Sequence, residues 1–255
     1  MSSNSIDRRS FLKLGCAGVA AATVSTSQLA QGSEEEPAVT EKPGITYRTL
    51  GRTGMKASMI GYGALRTREA AVIRAALDKG VNWLDTARSY MGGRNEGICG
   101  EALKGYRDKV YVTTKTLSRS RDKIFRDVEE SLRSLKTDHV DLLLLHDLTS
   151  KREVMNEEAR EAIAQLRKEG KTRFLGVSTH EGIAEVLDAV RQDPDKLYDA
   201  VLAKYNFKSS KAVKEAIARA AKAGIGIIAM KTQAGGYKTK ELGDINPHQA
   251  ALKWV

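Results

Sequence analysis

The stretch Val81-Asn-Trp-Leu-Asp-Thr-Ala-Arg-Ser-Tyr90 decides how this chain folds. It begins with an apolar segment of the kind that forms a buried strand, and that segment ends on a carboxylate, Asp85. A phenol, Tyr90, follows after a short polar segment. The stretch therefore predicts a buried strand with acid–base side chains at its carboxyl end.

Two later apolar segments end in the same way. The first, Val110-Tyr-Val-Thr-Thr-Lys115, ends on a lysine, and the second, Val140-Asp-Leu-Leu-Leu-Leu-His146, ends on a histidine. Strands that are apolar along their whole length are typical of parallel sheets with both faces covered. We therefore predict that three consecutive strands place a carboxylate, a lysine and a histidine at one edge of a sheet.

Apolar segments and segments of helical period alternate from residue 45 onward. Gly80, Gly170 and Gly224 follow three of the predicted helices, where a C-terminal cap is expected. The alternation predicts parallel strands joined by right-handed helical crossovers. The predicted strands are 57–63, 81–84, 110–114, 140–145, 173–177, 200–203 and 225–230, and the predicted helices are 68–79, 97–104, 120–135, 154–168, 182–191 and 210–223.

The number of units favours a parallel (β/α)8 TIM barrel, with about seven of its strands present, over an open doubly wound sheet. An open sheet that binds a dinucleotide carries a glycine-rich turn after its first strand. The segment Gly61-Tyr-Gly63 lacks the third glycine of that motif. In a barrel, the carboxyl ends of the strands converge on one mouth, where such proteins place their catalytic side chains.

The first 44 residues differ in character from the rest. Asp7-Arg-Arg-Ser-Phe-Leu-Lys13 precedes an alanine-rich segment, and residues 1–32 resemble a twin-arginine export signal rather than a short amphipathic helix. Residues 33–44 contain three consecutive glutamates and two prolines, which predict a flexible linker. The resemblance implies the twin-arginine export machinery as a partner and a periplasmic or other extracytoplasmic location. No stable membrane anchor is expected, because the apolar run of about eleven residues is shorter than the roughly twenty that span a bilayer.

Composition excludes several functional classes. The formal charge is +10, but lysines and arginines alternate with acids and no nucleic-acid motif accompanies them, so a solvated basic surface is expected. Cys16 and Cys99 suggest neither a metal cage nor a disulfide framework. A metal-dependent barrel hydrolase is disfavoured, because the four histidines lack a ligand spacing such as two histidines one helical turn apart.

The residues at the predicted mouth indicate acid–base chemistry on a carbonyl group. A buried lysine beside a phenol stabilises the phenolate, and Asp85 would keep Lys115 charged and in place. His146 could then orient a carbonyl oxygen while Tyr90 donates its proton. Each residue alone has a structural explanation as a cap, a solvated side chain or surface packing; together they predict a catalytic site.

The order and spacing of six motifs resemble the aldo-keto reductases from about residue 45 to the last residue. The resemblance implies that Tyr90 is the general acid, that Lys115 and Asp85 tune it, and that His146 positions the substrate carbonyl. It also implies hydride transfer from a nicotinamide cofactor, NADPH or NADH, to a small aldehyde or ketone. The motifs are Tyr47-Arg-Thr-Leu-Gly-Arg-Thr-Gly54, Leu84-Asp-Thr-Ala-Arg-Ser-Tyr90, Gly100-Glu-Ala-Leu-Lys104, Thr113-Thr-Lys115, Asp141-Leu-Leu-Leu-Leu-His146 and Gly176-Val-Ser178.

The cofactor contacts implied by the resemblance depart from the family pattern. Ser178 and Thr179 stand where a Ser-Asn pair commonly holds the nicotinamide carboxamide, and no glutamine follows the next predicted strand. Met230 replaces an aromatic ring as the surface beneath the nicotinamide, and Lys231 either meets a cofactor phosphate or extends into water. His180 either approaches the site or opens the following helix.

The chain ends at Lys253-Trp-Val255, inside the helix that precedes strand eight in the family. We therefore predict a barrel that is truncated before strand eight. Three explanations are open: the sequence is incomplete, the protein is a damaged relative of the family, or a partner chain covers the gap left by strand eight. The leading prediction is a carbonyl-reducing oxidoreductase. The alternative is a non-catalytic nicotinamide- or partner-binding barrel that has lost turnover through truncation.

Overall fold

A computed structural model of the protein describes residues 41–235 and 246–255. The predicted export signal over residues 1–32 and most of the predicted linker over residues 33–44 lie outside the described residues. The first two strands form an antiparallel hairpin, in which β1 (Tyr47–Thr49) pairs with β2 (Lys56–Ser58).

The other seven described strands form one parallel sheet in sequence order, as predicted. The sheet curls into an incomplete (β/α)8 barrel, so that all strands end at the same edge. Its strands are β3 (Tyr62–Gly63), β4 (Trp83–Asp85), β5 (Tyr111–Thr116), β6 (Val140–Leu145), β7 (Thr172–Thr179), β8 (Ala200–Lys204) and β9 (Gly226–Met230).

The helices lie between the strands, as predicted. The glycines that follow α1 (Ala70–Asp78), α5 (Glu157–Lys168) and α7 (Lys211–Lys222) adopt the left-handed conformation, with φ from 72° to 98°, which confirms their role as helix caps. No helix in the described part of the chain is long and apolar enough to cross a membrane. The helices are α1 (Ala70–Asp78), α2 (Arg94–Leu103), α3 (Arg121–Leu135), α4 (Lys151–Val154), α5 (Glu157–Lys168), α6 (Ile183–Arg191), α7 (Lys211–Lys222) and α8 (Pro247–Trp254).

Two elements that were predicted to be continuous are each divided into two in the structure. The predicted strand 57–63 is divided between β2 in the hairpin and β3 in the parallel sheet, and the exposed Met59 and Ile60 lie between them. The predicted helix 154–168 is divided between α4 and α5. There the side chain of Asn156 accepts a 2.8 Å hydrogen bond from the amide of Ala159 and so caps a new helix.

The long apolar strands serve two cores at once. Along β6, Leu142 and Leu144 point to the inside of the curved sheet, whereas Leu143 and Leu145 pack beneath the helices. This alternation follows from the two-residue period of a strand. The inner cluster contains Met55, Trp83, Tyr111, Leu142, Leu144, Ala200 and Leu202, and it fills the space below the mouth.

Candidate active site

The parallel register brings three of the predicted site residues to one edge of the sheet. Asp85 aligns with Thr113 on the neighbouring strand, and Lys115 aligns with Leu144, two residues before His146. Because adjacent strands run in the same direction, the carboxyl ends of β4, β5 and β6 lie side by side. The predicted juxtaposition of carboxylate, lysine and histidine is therefore present.

Lys115 lies at the centre of this group and is 1% exposed. Its ammonium nitrogen Nζ donates to Asp85 Oδ1 at 2.6 Å and to the carbonyl oxygen of Thr86 at 2.6 Å. A third contact, 3.3 Å long, joins Lys115 Nζ to the phenolic oxygen of Tyr90. The three N–H donors of the ammonium group thus have three acceptors, which holds the charge in one place.

Two opposing effects act on the pKa of the Asp85 carboxyl group. Burial raises the pKa of its carboxyl group above the ordinary value, and the positive charge and hydrogen bond of Lys115 oppose that rise. Lys115 therefore favours the ionised form of the carboxyl group.

Tyr90 opens a short 3-10 turn, Tyr90–Gly93, which is separated from β4 by residues 86–89. Its ring lies beneath the Lys115 ammonium, which is 4.8 Å from the ring centroid. The ring also meets His146 edge to face, with centroids 5.9 Å apart and planes at 73°. The phenol thus contacts the lysine on one side and the imidazole on the other.

His146 follows β6 and is anchored through its backbone. Its amide donates to Thr116 at 2.8 Å, and its carbonyl oxygen accepts a 2.8 Å hydrogen bond from Arg119. Burial, helped by the nearby charge of Lys115, lowers the pKa of the imidazole to about 4. Its Nδ1 atom is buried and has no hydrogen-bond partner among the described residues. A neutral imidazole is therefore available to a group that enters the mouth.

The two hydroxyl residues at the end of β7 differ in what they contact. Ser178 Oγ accepts a 2.9 Å hydrogen bond from the amide of Asp147, and its own proton has no acceptor in the described part of the chain. Thr179 Oγ1 donates to the carbonyl oxygen of Glu181 at 2.6 Å, which commits it to the following turn. Of the pair, Ser178 retains a donor that a ligand can use.

The remaining predicted cofactor residues lie at the end of β9 and beyond. Met230 packs against the inner cluster and offers a half-buried apolar surface at the mouth. Lys231 is exposed, and its carbonyl oxygen accepts a 3.0 Å hydrogen bond from the side chain of Asn206. This hydrogen bond holds the backbone of Lys231 and does not involve its ammonium group.

His180 lies in the loop between β7 and α6, directly after the strand end that carries Ser178 and Thr179. Its Nδ1 atom is buried without a partner in the described ranges. Burial lowers the pKa of the ring, and the positive charge of Lys231 acts in the same direction. The imidazole of His180 therefore lies close enough to Lys231 for the lysine charge to act on it.

A comparison with protein families bears directly on this arrangement. The model of the aldo/keto reductase family matches residues 54–254, which is most of the chain. The chain belongs to the aldo/keto reductase family.

Individual aldo/keto reductases agree with this assignment. Aldo-keto reductase YhdN of Bacillus subtilis is 36% identical over 157 residues, which are 52% of this chain and 47% of the relative. The chain spans about half the length of YhdN and of two other curated relatives that it matches.

Solved structures of aldo/keto reductases share the fold. Aldo-keto reductase AKR11C1 of Bacillus halodurans, in its holo form, has a TM-score of 0.70 at 25% identity and covers 82% of this chain and 81% of its own. The Klebsiella pneumoniae aldo/keto reductase, solved in complex with NADP and acetate, has a TM-score of 0.67 at 26% identity, with 82% and 81% covered.

Sequence reasoning missed two groups of residues around this aldo/keto reductase site. Arg119, between β5 and α3, holds the backbone of His146, and its pKa is lowered by burial. Arg88 and Glu96 form an ion pair behind the strand ends. The only sequence signal is a charged residue, Glu96, on the apolar side of a helix. The described residues contain no group of three or more metal-ligating side chains.

Proposed function

We propose that this aldo/keto reductase reduces the carbonyl group of a small aldehyde or ketone, with Tyr90 as the general acid and hydride from a nicotinamide cofactor. One observation carries the proposal. The ammonium nitrogen of Lys115 lies 2.6 Å from Asp85 Oδ1 and 3.3 Å from the phenolic oxygen of Tyr90, at the mouth of the barrel.

The proton is donated by Tyr90. Loss of that proton leaves a phenolate, and the adjacent ammonium group of Lys115 stabilises its negative charge. The 2.6 Å hydrogen bond to Asp85 holds the ammonium group beside the phenol. A general acid that is positioned in this way contributes roughly a hundredfold to ten-thousandfold to the rate.

His146 orients the carbonyl oxygen. Because its pKa is lowered to about 4, the ring is neutral at pH 7 and donates a hydrogen bond through one nitrogen. The edge-to-face contact with Tyr90 places the imidazole beside the proton donor. A carbonyl oxygen bound by His146 would therefore lie close to the phenol that protonates it.

The residues present fit a nicotinamide group. The uncommitted hydroxyl proton of Ser178 suits a carboxamide oxygen, and the half-buried thioether of Met230 suits an aromatic ring. Thr179 and Lys231 complete the proposed set, with Lys231 available to a phosphate group. When bound, the nicotinamide supplies the hydride. NADPH is the proposed form, with NADH as the alternative, because a similar Klebsiella pneumoniae structure holds NADP.

The test combines binding with turnover on the 255-residue chain. We expect saturable quenching or enhancement of fluorescence on titration with NADPH, tighter than with NADH, and NADPH oxidation with at least one member of a panel of small aldehydes. Saturable binding without turnover would favour the non-catalytic nicotinamide-binding alternative. A folded chain that binds neither cofactor would overturn the proposal.

We also propose that the chain is exported through the twin-arginine route to the periplasm or an equivalent compartment. The support is the pair Arg8-Arg9 before the alanine-rich segment. Cell fractionation should find the protein outside the cytoplasm, and the double substitution Arg8→Lys and Arg9→Lys should retain it inside. An unchanged distribution in that variant would contradict this route.

A further inference from the structure

A second buried polar cluster lies on the other side of the strands that carry the catalytic residues. Successive residues of β5 point to opposite faces, so Lys115 points into the mouth and Thr114 points beneath the helices. There Thr114 Oγ1 donates a 2.6 Å hydrogen bond to Glu96 Oε1. The side chain of Glu96 is 0% exposed, although it lies on the helix α2. A carboxylate has thus been buried directly behind the lysine strand.

The partner of this carboxylate is Arg88, two residues before Tyr90. Arg88 Nη1 lies 2.5 Å from Glu96 Oε2. Burial raises the pKa of Glu96, and the hydrogen bonds of Thr114 and Ser131 and the charge of Arg88 oppose the rise. A buried charge without a partner is strongly unfavourable, so Glu96 requires Arg88.

Arg88 also connects both ends of the turn that carries the phenol. Its backbone amide donates to the carbonyl oxygen of Lys115 at 3.0 Å, and its Nη2 donates to the carbonyl oxygen of Gly93 at 2.7 Å. Nη1 reaches Ser134 Oγ on α3 at 3.3 Å. The backbone amide of Arg88 thus ties the segment before the turn to β5, and its guanidinium group ties the end of the turn to α3.

The turn needs such a tie because its backbone is unusual. Met91, Gly92 and Gly93 have φ of 53°, 63° and 88°, so three successive residues lie in the left-handed region. A non-glycine residue in that region costs about 1 kcal/mol or more, and such conformations persist only where surrounding contacts impose them. Asn95 provides one connection from the start of α2 back to the end of β4, because its Oδ1 accepts a 2.7 Å hydrogen bond from Thr86 Oγ1. Arg88 provides a second, to the carbonyl oxygen of Gly93.

We infer that Arg88, held by the buried carboxylate of Glu96, is a positioning residue that fixes the turn Tyr90–Gly93 so that the phenol stays within reach of Lys115. The inference rests on the proposed function for its kinetic consequence only. The ordering of the turn is a property of the chain itself. The simpler alternative is that the pair merely anchors α2, and the experiment separates the two.

The kinetic test compares Arg88→Lys and Glu96→Gln with a matched control, Arg160→Lys. Arg160 forms a similar buried pair with Asp193, at 2.9 Å, on α5 and away from the mouth. A lysine keeps the charge, but its single nitrogen cannot take the places of both Nη1 and Nη2, which contact Glu96, Ser134 and Gly93. We expect kcat to fall by roughly tenfold to a hundredfold in Arg88→Lys, because small misplacements of a catalytic group cost that much.

The expected result also includes kcat of two further variants and the KM for cofactor. Glu96→Gln should lose less kcat than Arg88→Lys, since the amide can still accept from Thr114. The KM for cofactor should stay close to that of the unmodified chain in both variants, and Arg160→Lys should leave kcat unchanged. An Arg88→Lys variant with the kcat of the unmodified chain, or a fall in kcat matched by Arg160→Lys, would overturn the inference.

Hydrogen exchange provides a readout that needs no turnover. The amide of Tyr90 donates to Ala87 at 3.0 Å, so it should be protected in the unmodified chain. Exchange over residues 89–94 should accelerate in Arg88→Lys and not in Arg160→Lys. Faster exchange in a chain that reduces no carbonyl would retain the inference while the proposed function fails. Unchanged exchange in Arg88→Lys would refute the inference whatever the activity.

Discussion

Lys115 donates a 2.6 Å hydrogen bond to Asp85 across two neighbouring strands, and 1% of the lysine side chain is exposed. The pair affects both stability and catalysis, because the same ammonium group neutralises a largely buried carboxylate and contacts the phenol of Tyr90. Substitutions around this pair therefore have separable consequences for folding and for turnover.

Substitution of Tyr90 by Phe removes the proton donor and keeps the ring. We expect kcat for carbonyl reduction to fall by about a hundredfold or more, because the general acid is lost. Cofactor affinity should be nearly unchanged, because the substitution removes only the proton donor and keeps the ring. Steady-state kinetics and a fluorescence titration with NADPH measure the two quantities. Activity equal to that of the unmodified chain would reject Tyr90 as the acid.

Substitution of Lys115 by Met leaves Asp85 without its partner. We expect the free energy of unfolding to fall by about 3 kcal/mol, at the lower end for a broken buried pair because Asp85 is partly exposed, and activity to be lost. The double variant Lys115→Met, Asp85→Leu should recover much of that stability and none of the activity. Chemical denaturation together with kinetics tests this. Recovery of activity in the double variant would show that the charge is not required.

Protonation of His146 should destabilise the fold in acid. Its pKa is about 4 in the folded chain and near 6.5 when unfolded, so the unfolded state binds more protons between these values. The contribution of His146 to stability is therefore complete above about pH 6.5 and is lost as the pH falls towards 4.

The variant His146→Gln isolates this contribution, because glutamine does not titrate. Denaturation curves at several pH values between 4 and 7 should show a shallower loss of stability in the variant than in the unmodified chain. Parallel pH dependences in the two proteins would contradict the lowered pKa.

Two adjacent glycines test the turn after Tyr90. A Cβ atom on Gly93 would lie 2.0 Å from Arg88 Nη2, whereas one on Gly92 would meet nothing within 4 Å. Both residues have positive φ, so each alanine substitution costs about 1 kcal/mol or more of backbone strain. Gly93→Ala should in addition displace Arg88 and lower kcat, while Gly92→Ala should lower stability alone. Equal kcat values in the two variants would contradict the proposed role of Arg88.

Much of the architecture follows from local pattern. The segment 140–145 is apolar throughout, and it forms the strand Val140–Leu145 with alternate leucines in the two cores. The glycines after helices were predictable from their position alone. Whether a predicted helix is continuous was harder to predict. The break at Asn156 depends on the hydrogen bond that its side chain accepts from the amide of Ala159, which starts a new helix instead of continuing the first one.

The sequence by itself determined that a carboxylate, a lysine and a histidine lie at the carboxyl ends of successive parallel strands, because strand period and direction are local properties. It also placed Tyr90 close behind Asp85. Only the tertiary structure decided that Lys115 reaches Asp85 and Tyr90 together, and that Arg88 closes on Glu96 beneath them. The contacts of Lys115 join residues on separate strands and loops, and they depend on strand register. The contact of Arg88 with Glu96 depends on how α2 packs against the sheet, which no local pattern encodes.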